Sequence, residues 1–412
     1  MKNFSLILLT ISLALISCSS SSNEYTAEEQ IREDVEWFSS DEMDGRLSGT
    51  EQEAIAANYI ADRFLQLGLT PAGDQDTYFQ QFTLNGPMTQ PMGVENHLSR
   101  NVVAISEGST QPSQFIVLGA HYDGQGHGSI ISMNFDQPDS THYSADDNAS
   151  GVAGLLHLAE KFSENPTEKS VMFIAFSGEE LGLLGSRYFA ESLDVPSDSI
   201  LAMINFDMIG RLNEESELTI FGTETSPKWD EIFSEIESNN LNIIPSGSGT
   251  GASDHVSFHD IGIPVLHFFT GTHDDYHTPG DTPDKINEQG ILTISEHAEL
   301  LIRKLDELEA TAMEFSETAP QQQSVMSGDS VTMGVIPDYN FSGNGFRLDG
   351  VRMGGPADRA GMQTGDIVVQ MGEIPVSDIY AYMEALGEFS TGEEIVVKVR
   401  RSGEIVELSL TF

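Results

Sequence analysis

Short apolar runs alternate with amphipathic helical patterns over most of this chain, and this alternation limits the fold more than any other feature of the sequence. Apolar runs with strand character cover residues 101–106, 115–119, 170–176, 200–206, 218–221 and 264–268. Helical spacing covers residues 26–39, 51–68, 150–162, 181–191, 228–238 and 287–310. Continuous apolar strands belong to sheets that are covered on both faces. The sequence therefore predicts an α/β domain with a mixed, mostly parallel sheet and helices on both faces.

The alternation stops near residue 310, which places the α/β domain at residues 26–310. Residues 311–328 contain Pro320 and three consecutive glutamines, and we interpret them as a linker. Residues 329–412 combine short strands, glycine-rich turns and two short helical patterns. This composition is typical of a small β-rich domain.

The first residues are predicted to be a signal peptide for export. Residues 1–18 hold one lysine, then an apolar run over residues 6–16 that is too short to span a bilayer comfortably. The sequence Leu-Ile-Ser-Cys that ends at Cys18 resembles a bacterial lipoprotein box, which implies lipidation of Cys18. Residues 19–25 are polar and would act as a tether. We expect an exported protein that is lipid-anchored to the cell envelope; an uncleaved anchor is the alternative.

The charge of the chain excludes two classes of partner. Asp and Glu number 65 against 19 Lys and Arg, for a net charge of -46. Nucleic acids and anionic membrane surfaces are bound by clustered Lys and Arg, so neither is expected as a partner, and membrane contact is expected only through the lipid. Of these residues, 52 acids and 13 bases precede residue 329. The excess acid therefore belongs mainly to the α/β domain, and we expect it to suit a saline exterior.

Side chains that bind metal ions concentrate in five segments, each at the end of a predicted strand, at the start of a helix or in a late loop. They are residues 119–123, 144–151, 177–182, 205–210 and 276–282. Imidazole nitrogens and carboxylate oxygens are ligands that Zn²⁺ accepts. Two adjacent zinc ions need one bridging carboxylate, and hydrolysis needs a further carboxylate to take a proton from water. The neighbours Glu179 and Glu180 could divide such roles, and Asp123 is placed to accept the other N–H of His121.

Together with residues 44–50, Asp-Gly-Arg-Leu-Ser-Gly-Thr, these motifs resemble the co-catalytic zinc aminopeptidases, family twenty-eight of the metallopeptidases. The resemblance covers residues 28–310 and implies a zinc-exopeptidase-like fold with two Zn²⁺ ions. It implies that the metal ligands are His121, Asp147, Glu180, Asp207 and His277. Asp147 would be the bridging ligand, Glu179 the general base and Asp123 the residue that orients His121. The family also has a cis peptide bond after the bridging aspartate, here Asp147–Asn148.

The donor that would stabilise the tetrahedral oxyanion is left open by the sequence. Some relatives carry a tyrosine three residues before a Ser-Asp-His motif, which here is residues 253–255; this chain has Thr250 at that position. Tyr276 is a candidate oxyanion donor, or zinc itself suffices. Asp254 either contacts substrate or caps the following helix.

The resemblance implies an aminopeptidase that hydrolyses N-terminal residues from peptides with a free N-terminus, through a water that bridges two zinc ions. Carboxypeptidases and glutaminyl cyclases share this fold and are the alternatives. A carboxypeptidase needs a cation for the substrate carboxylate, and Arg46, Arg187 and Arg211 are the arginines available near the motifs. The cyclases use one zinc, whereas all five ligand positions are filled here. A non-catalytic binding protein is a third alternative.

The C-terminal region resembles a PDZ domain in three motifs: residues 343–348, 355–362 and 365–368. The resemblance implies that the loop with Gly343, Gly345 and Phe346 holds the C-terminal carboxylate of a peptide, which would add as a strand to the sheet edge. The alternative is that the domain only packs against the α/β domain.

Overall fold

The computed structural model describes most of the two predicted domains. The described residues are 25–128, 132–134, 140–309, 311–318, 331–337, 341, 343–352, 354–377, 379–386 and 388–412. The export signal with Cys18, the first part of the tether and residues 319–328 of the linker lie outside the described residues. Within the described ranges, no helix is both long enough and apolar enough to cross a membrane.

The large domain is built on one mixed sheet of nine strands. The strands are β1 Thr70–Pro71, β2 Phe79–Thr83, β3 Leu98–Ser106, β4 Gln111–His121, β5 Lys169–Phe176, β6 Ile200–Phe206, β7 Glu217–Phe221, β8 Asn242–Ser246 and β9 Val265–Phe269. Their order is β1-β3-β5-β4-β6-β9-β7-β8, and β2 pairs with β3. The four central strands β5, β4, β6 and β9 are parallel, whereas β1, β2 and β3 pair antiparallel, as do β3 with β5 and β7 with β9.

Helices cover both faces of this sheet, as predicted. They are α1 Ala27–Phe38, α2 Glu51–Gln66, α3 Gly151–Glu164, α4 Leu184–Glu191, α5 Trp229–Glu235, α6 His255–His259 and α7 Glu288–Asp306. Apolar residues of α1, α2, α3, α5 and α7 form one core with the sheet. On the other face, Phe189 of α4 and Phe258 of α6 pack against Phe176 of β5. Side-chain caps at Thr26, Thr50 and Asn287 satisfy backbone N–H groups and begin α1, α2 and α7.

The C-terminal domain has a second, separate core inside an antiparallel sheet. Its elements are β10 Val335–Pro337, β11 Phe346–Val351, α8 Pro356–Arg359, β12 Ile367–Met371, β13 Ile374–Pro375, α9 Ile379–Leu386, β14 Glu394–Arg401 and β15 Glu404–Thr411. The order is β10-β11-β12-β14-β15, and β13 pairs with β12. The strand β10 is therefore at one edge of this sheet, and β11 lies inside it.

The topology brings predicted ligand segments together at the carboxyl ends of the central parallel strands. In the sheet β4 lies between β5 and β6, which both run parallel to it. His121 is the last residue of β4, Glu179 and Glu180 follow β5, and Asp207 follows β6 directly. The carboxyl ends of adjacent parallel strands open a crevice where an α/β sheet binds ligands. The chemistry of this chain is concentrated at that crevice.

Candidate metal centre

Two groups of side chains at this crevice could each hold a metal ion. One group is His121, Asp147 and Asp207; the other is Asp147, Glu180 and His277, and the ligand atoms within each group lie within 4.8 Å of one another. These are the five ligands that the resemblance implies. Asp147 belongs to both groups.

Asp147 points one carboxylate oxygen at each group. Its Oδ1 lies 3.2 Å from Nε2 of His121, and its Oδ2 lies 3.1 Å from Nε2 of His277. His121 Nε2 also lies 3.4 Å from Oδ1 of Asp207, and His277 Nε2 lies 3.6 Å from Oε2 of Glu180. Each histidine thus has the shared carboxylate and one further carboxylate beside it. This is the arrangement that a pair of ions bridged by one carboxylate requires.

The side chains of this cluster are suited to binding cations, because their carboxylates are buried and only partly paired with groups of the protein. Oε1 of Glu180 is buried and has no hydrogen-bond partner among the described residues, although Oε2 accepts a bond from Gln125 Nε2 at 3.1 Å. Burial and the charge of Asp147 raise the pKa of Glu180 to about 8. Although burial opposes it, the hydrogen bonds to His121 and His277 hold the pKa of Asp147 below its ordinary value. Divalent cations would favour the ionised form of every carboxylate in this cluster, because they supply the positive charge that the cluster lacks.

The loop that carries Asp147 is fixed by backbone hydrogen bonds. The Asp147–Asn148 peptide bond is cis, in agreement with the resemblance. Oδ1 of Asn148 accepts the N–H groups of Gly151 and Met208 at 2.9 Å and 3.2 Å. Oδ2 of Asp281 accepts the N–H groups of Asp146 and Asp147 at 2.9 Å and 3.1 Å. Asp281 therefore positions the loop of Asp147, and no sequence motif signalled this role, because its partners are backbone groups far along the chain.

The first aspartate of the Asp146–Asp147 pair faces away from the metal groups. Its Oδ1 accepts the N–H of Gly210 at 2.6 Å, and its Oδ2 lies 3.2 Å from Nε2 of His273. The two carboxylate oxygens of Asp146 therefore contact the segments around Gly210 and His273. The two adjacent aspartates thus lie in different surroundings, and only Asp147 belongs to the metal groups.

The ring of His121 is oriented by residue 123, although the closest contact is with the main chain. Nδ1 of His121 lies 3.2 Å from the carbonyl oxygen of Asp123 and 3.6 Å from its Oδ1. The carboxylate instead accepts the Ser48 hydroxyl at 2.8 Å and the N–H of Glu179 at 3.3 Å. Asp123 therefore connects the ligand histidine to the turn that holds Glu179. The sequence predicted that Asp123 accepts the other N–H of His121; in the structure Nδ1 lies nearer to the carbonyl oxygen of this residue than to its carboxylate.

Glu179 lies beside the metal groups without being part of either. Burial raises its pKa well above the ordinary value, and the charges of Asp207 and Asp254 act in the same direction against that of His121. Asp254 is fully buried, and burial raises its pKa to about 7. A carboxyl group that takes up a proton easily is suited to general base catalysis. Asp254 lies near Glu179, and it does not cap α6 through its side chain.

Arg46 lies beneath the site with a fully buried guanidinium. It donates to the carbonyl oxygens of Tyr122, Tyr143 and Ser144 at 3.0 Å each, and it also bonds the carbonyl of Phe38. Burial lowers its pKa to about 10, against the charges of Asp123 and Asp281. Because its donors are used by the main chain, Arg46 is not available to a substrate carboxylate.

The other two arginines considered as carboxylate anchors are also poorly placed. Arg211 Nη2 lies 3.3 Å from Asp275 and 3.3 Å from Asp281, so its charge is already paired with two carboxylates. Arg187 is exposed on α4. None of the three presents an unpaired buried cation to the crevice.

Tyr276 and Thr250, the two positions considered for an oxyanion donor, lie in different surroundings. The ring of Tyr276 stacks on that of His277 at 3.8 Å between centroids, so it lies next to a ligand, and its role stays a prediction. Thr250 is buried, and its hydroxyl lies 2.9 Å from that of Ser248.

The Gly343–Phe346 loop does not fit the expected peptide site. The Gly345 N–H donates to the Ser377 carbonyl at 2.7 Å, and Phe346 is buried against Tyr382 at 4.1 Å between ring centroids. The strand that follows, β11, lies inside the sheet, between β10 and β12. A peptide strand adds to an edge, so the expectation that it would add beside this loop is corrected to the edge strand β10.

Comparisons with known proteins match two regions of the chain. Residues 101–302 match the sequence model described as peptidase family M28, and residues 319–412 match the model described as PDZ domain. Aminopeptidase YwaD of Bacillus subtilis strain 168 is 29% identical over 206 residues, which are 47% of this chain and 42% of that protein. The chain thus spans less than half of the length of this curated relative.

Solved structures with the same fold include two kinds of protein. BSAP, a zinc aminopeptidase from Bacillus subtilis, has a TM-score of 0.55 at 17% identity and covers 70% of this chain and 98% of its own. A glutaminyl cyclase from Porphyromonas gingivalis has a TM-score of 0.56 at 19% identity and covers 69% of this chain and 98% of its own. At these identities the likeness shows the fold alone.

Proposed function

The chain carries a domain of peptidase family M28 followed by a PDZ domain, and on this basis we propose that it is an exported di-zinc aminopeptidase that removes N-terminal residues from peptides. The observation that carries the proposal is the carboxylate of Asp147, whose two oxygens lie 3.2 Å and 3.1 Å from two different histidines. A site for a single ion would not need one carboxylate whose two oxygens each lie beside a different histidine.

In the proposed mechanism the two zinc ions, when bound, would polarise the scissile carbonyl and lower the pKa of the attacking water. His121 and Asp207 would hold one ion, Glu180 and His277 the other, and Asp147 both. Glu179 accepts the proton of the attacking water and passes it to the leaving amine. Asp123 keeps this step aligned, because it contacts both His121 and the backbone of Glu179.

The charges near the site favour an aminopeptidase over a carboxypeptidase. A substrate carboxylate needs an unpaired cation, and Arg46 and Arg211 are both committed to groups of the protein. A substrate with a free amine, in contrast, needs no such cation.

The test is a panel of chromogenic substrates assayed with the zinc-loaded protein. Aminoacyl substrates should be cleaved, and the same substrates with a blocked amine should not. The Glu179→Gln variant should bind zinc like the wild type and lose at least about a hundredfold in kcat, because it lacks the base. Cleavage of C-terminal residues, cyclisation of N-terminal glutamine or a Glu179→Gln variant of wild-type rate would each contradict the proposal.

We propose that the PDZ domain binds a C-terminal peptide segment along β10. Gly334 precedes this edge strand, and its backbone has a φ of 70°. An extended peptide can add to such an edge by main-chain hydrogen bonds. Binding of a library of C-terminal peptides to the full-length protein should be lost when the peptides are amidated at the C-terminus. Equal binding of amidated peptides would refute carboxylate recognition.

We also propose that the protein is exported and lipid-anchored through Cys18, because the Leu-Ile-Ser-Cys sequence follows a short apolar run. The wild type should fractionate with membranes and the Cys18→Ser variant should not. A Cys18→Ser variant that stays with the membrane would exclude this anchor.

A further inference from the structure

The C-terminal domain contacts the loop that carries the metal ligand His277, and it does so through one side chain. Arg352 directly follows β11. Its Nη2 donates to the carbonyl oxygen of Tyr276 at 2.8 Å and reaches that of His273 at 3.5 Å, while Nη1 donates to the carbonyl oxygen of Asp274. One guanidinium thus bonds three carbonyl groups among the four residues that precede His277.

This loop determines where the ring of His277 lies. His277 has a φ of 53°, in the left-handed region that few non-glycine residues adopt, so its backbone depends on its surroundings. Its Nε2 must stay near Asp147 and Glu180, which lie 3.1 Å and 3.6 Å away. A displacement of 1 Å in the preceding main chain would separate these ligand atoms from a common ion.

Contacts from the large domain hold the side chains of the loop. His273 pairs with Asp146 at 3.2 Å, and Asp275 pairs with Lys285 at 2.7 Å and with Arg211 at 3.3 Å. On the main chain, the Met133 N–H of the large domain donates to the carbonyl oxygen of His277 at 2.7 Å, whereas Arg352 binds the carbonyls of the preceding residues Asp274 and Tyr276. It complements the other contacts and does not duplicate them.

Arg352 is also tied to the edge of its own sheet. Its backbone N–H donates to the carbonyl oxygen of Gly334 at 2.9 Å, and Gly334 immediately precedes β10. The side chain is half-buried. A rigid guanidinium that is partly desolvated and bonded to three acceptors has a defined direction, which a flexible surface arginine lacks.

We propose that Arg352 is a positioning residue which the PDZ domain supplies to the metal centre. It holds the loop of residues 273–277 so that the group of Asp147, Glu180 and His277 binds its zinc ion with full affinity. The group of His121, Asp147 and Asp207 receives no contact from Arg352 and depends on it only through the shared Asp147. This inference rests on the proposed function, since it assumes two zinc ions.

The test compares full-length wild type with the Arg352→Ala, Arg352→Lys and Arg347→Ala variants. Arg347 is an exposed arginine on β11 whose guanidinium lies over the ring of Phe341 in its own domain, so its removal is a matched loss of one charge. Zinc binding is measured by titration against a competing chelator, and kcat and KM by cleavage of an aminoacyl substrate.

For Arg352→Ala we expect one of the two zinc affinities to fall about tenfold or more, as on loss of a group that orients a ligand. The other affinity should stay within about twofold, kcat should fall at sub-saturating zinc, and excess zinc should restore it. The Arg347→Ala variant should match the wild type. The Arg352→Lys variant should be intermediate, because an ammonium group cannot span the same carbonyls, and it decides the question if the alanine variant does not fold.

Wild-type zinc affinities and kcat in both Arg352 variants would overturn the inference, as would an equal loss in Arg347→Ala. An equal fall of both zinc affinities would also overturn it, because it would indicate a general loss of structure. A wild-type protein that binds fewer than two zinc ions and cleaves no aminoacyl substrate would overturn the proposed function as well, so the two failures are distinguishable.

Discussion

At the scale of single residues, a buried arginine holds the backbone around the metal centre. The guanidinium of Arg46 bonds the main chain at Tyr122, between His121 and Asp123, and at Ser144, just before the bridging loop. Two separate segments of the site are thus held by different nitrogens of one guanidinium, Nε and Nη2. An uncompensated charge or carbonyl left in this position would be costly, because no water can replace the lost partner.

We expect Arg46→Lys to lower the free energy of unfolding by about 2 kcal/mol or more, since a lysine cannot satisfy four carbonyls in the same plane. Urea unfolding at saturating zinc measures the effect. The matched control is Arg32→Lys: Arg32 is half-buried on the surface of α1 and pairs with Glu288 at 2.8 Å, so its replacement should cost less than about 0.5 kcal/mol. An equal loss of unfolding free energy in the two variants would show that the buried hydrogen bonds of Arg46 stabilise the fold no more than a surface ion pair does.

Single residues also show where sequence reasoning ends. The resemblance singled out His121, Asp207 and Glu180 as candidate ligands, and all three lie at or just after the carboxyl ends of adjacent parallel strands. Asp281 and Arg46 could not be assigned a role, because they act on backbone groups that only the folded chain brings to them. Residue type and spacing indicate which side chains could bind a metal ion. They do not indicate which side chains will bond distant backbone groups.

At the scale of elements, the helix α3 carries a buried histidine near Glu299 of α7. His157 is 6% exposed, and burial lowers its pKa to about 4, with the charge of Lys161 acting in the same direction and that of Glu299 on α7 against it. The imidazole is therefore neutral in the folded protein at ordinary pH. In the unfolded chain it would take up a proton near pH 6.5 (an approximate reference value).

We expect the stability of the protein to fall as the pH is lowered from about 6.5 to about 4, because in that window the unfolded chain binds a proton that folded His157 does not. The full contribution is present above the unfolded pKa and amounts to roughly 3 kcal/mol for a shift of this size. Urea unfolding at pH 7 and pH 4.5 measures it, and His157→Gln should reduce the difference. His97→Gln, at an exposed position, is the control and should leave the difference unchanged; no change in His157→Gln would exclude this origin.

The long, strongly patterned elements were predicted well from the sequence, and the short ones were not. The strand predicted at residues 200–206 is β6, and the helix predicted at residues 51–68 is α2, which ends at Gln66. The strands β1, β2 and β8 were missed, since two to five residues at the edge of a sheet carry little periodicity. The start of α4 was predicted three residues too early, because the turn at residues 181–183 has the same apolar composition as the helix.

At the scale of the whole molecule, the net charge of -46 remains an unusual property that the metal centre does not explain. Only a few acids surround the two metal groups, so most of the excess is elsewhere. Like charges on one surface repel one another, and salt screens this repulsion.

We expect the melting temperature and the proposed aminopeptidase activity to hold or to rise as NaCl is increased to about 1 M, because screening weakens the repulsion among the carboxylates. Thermal unfolding and initial rates at saturating zinc measure the two quantities. KCl is the control, since a screening effect should not depend on the cation. A steep loss of either quantity in both salts would reject adaptation to a saline exterior.

The chain after α7 stays attached to the large domain before it continues to the small one. The Ser316 N–H donates to the carbonyl of Thr225 at 2.8 Å, and the Thr318 hydroxyl lies 3.0 Å from Nε2 of His259. From Thr318 to Val331 the chain can reach at most about 45 Å in any conformation. A small domain that lost its Arg352 contact would therefore remain at an effective concentration near the millimolar range. Its return is an intramolecular event, so any activity that depends on this contact should survive dilution of the enzyme.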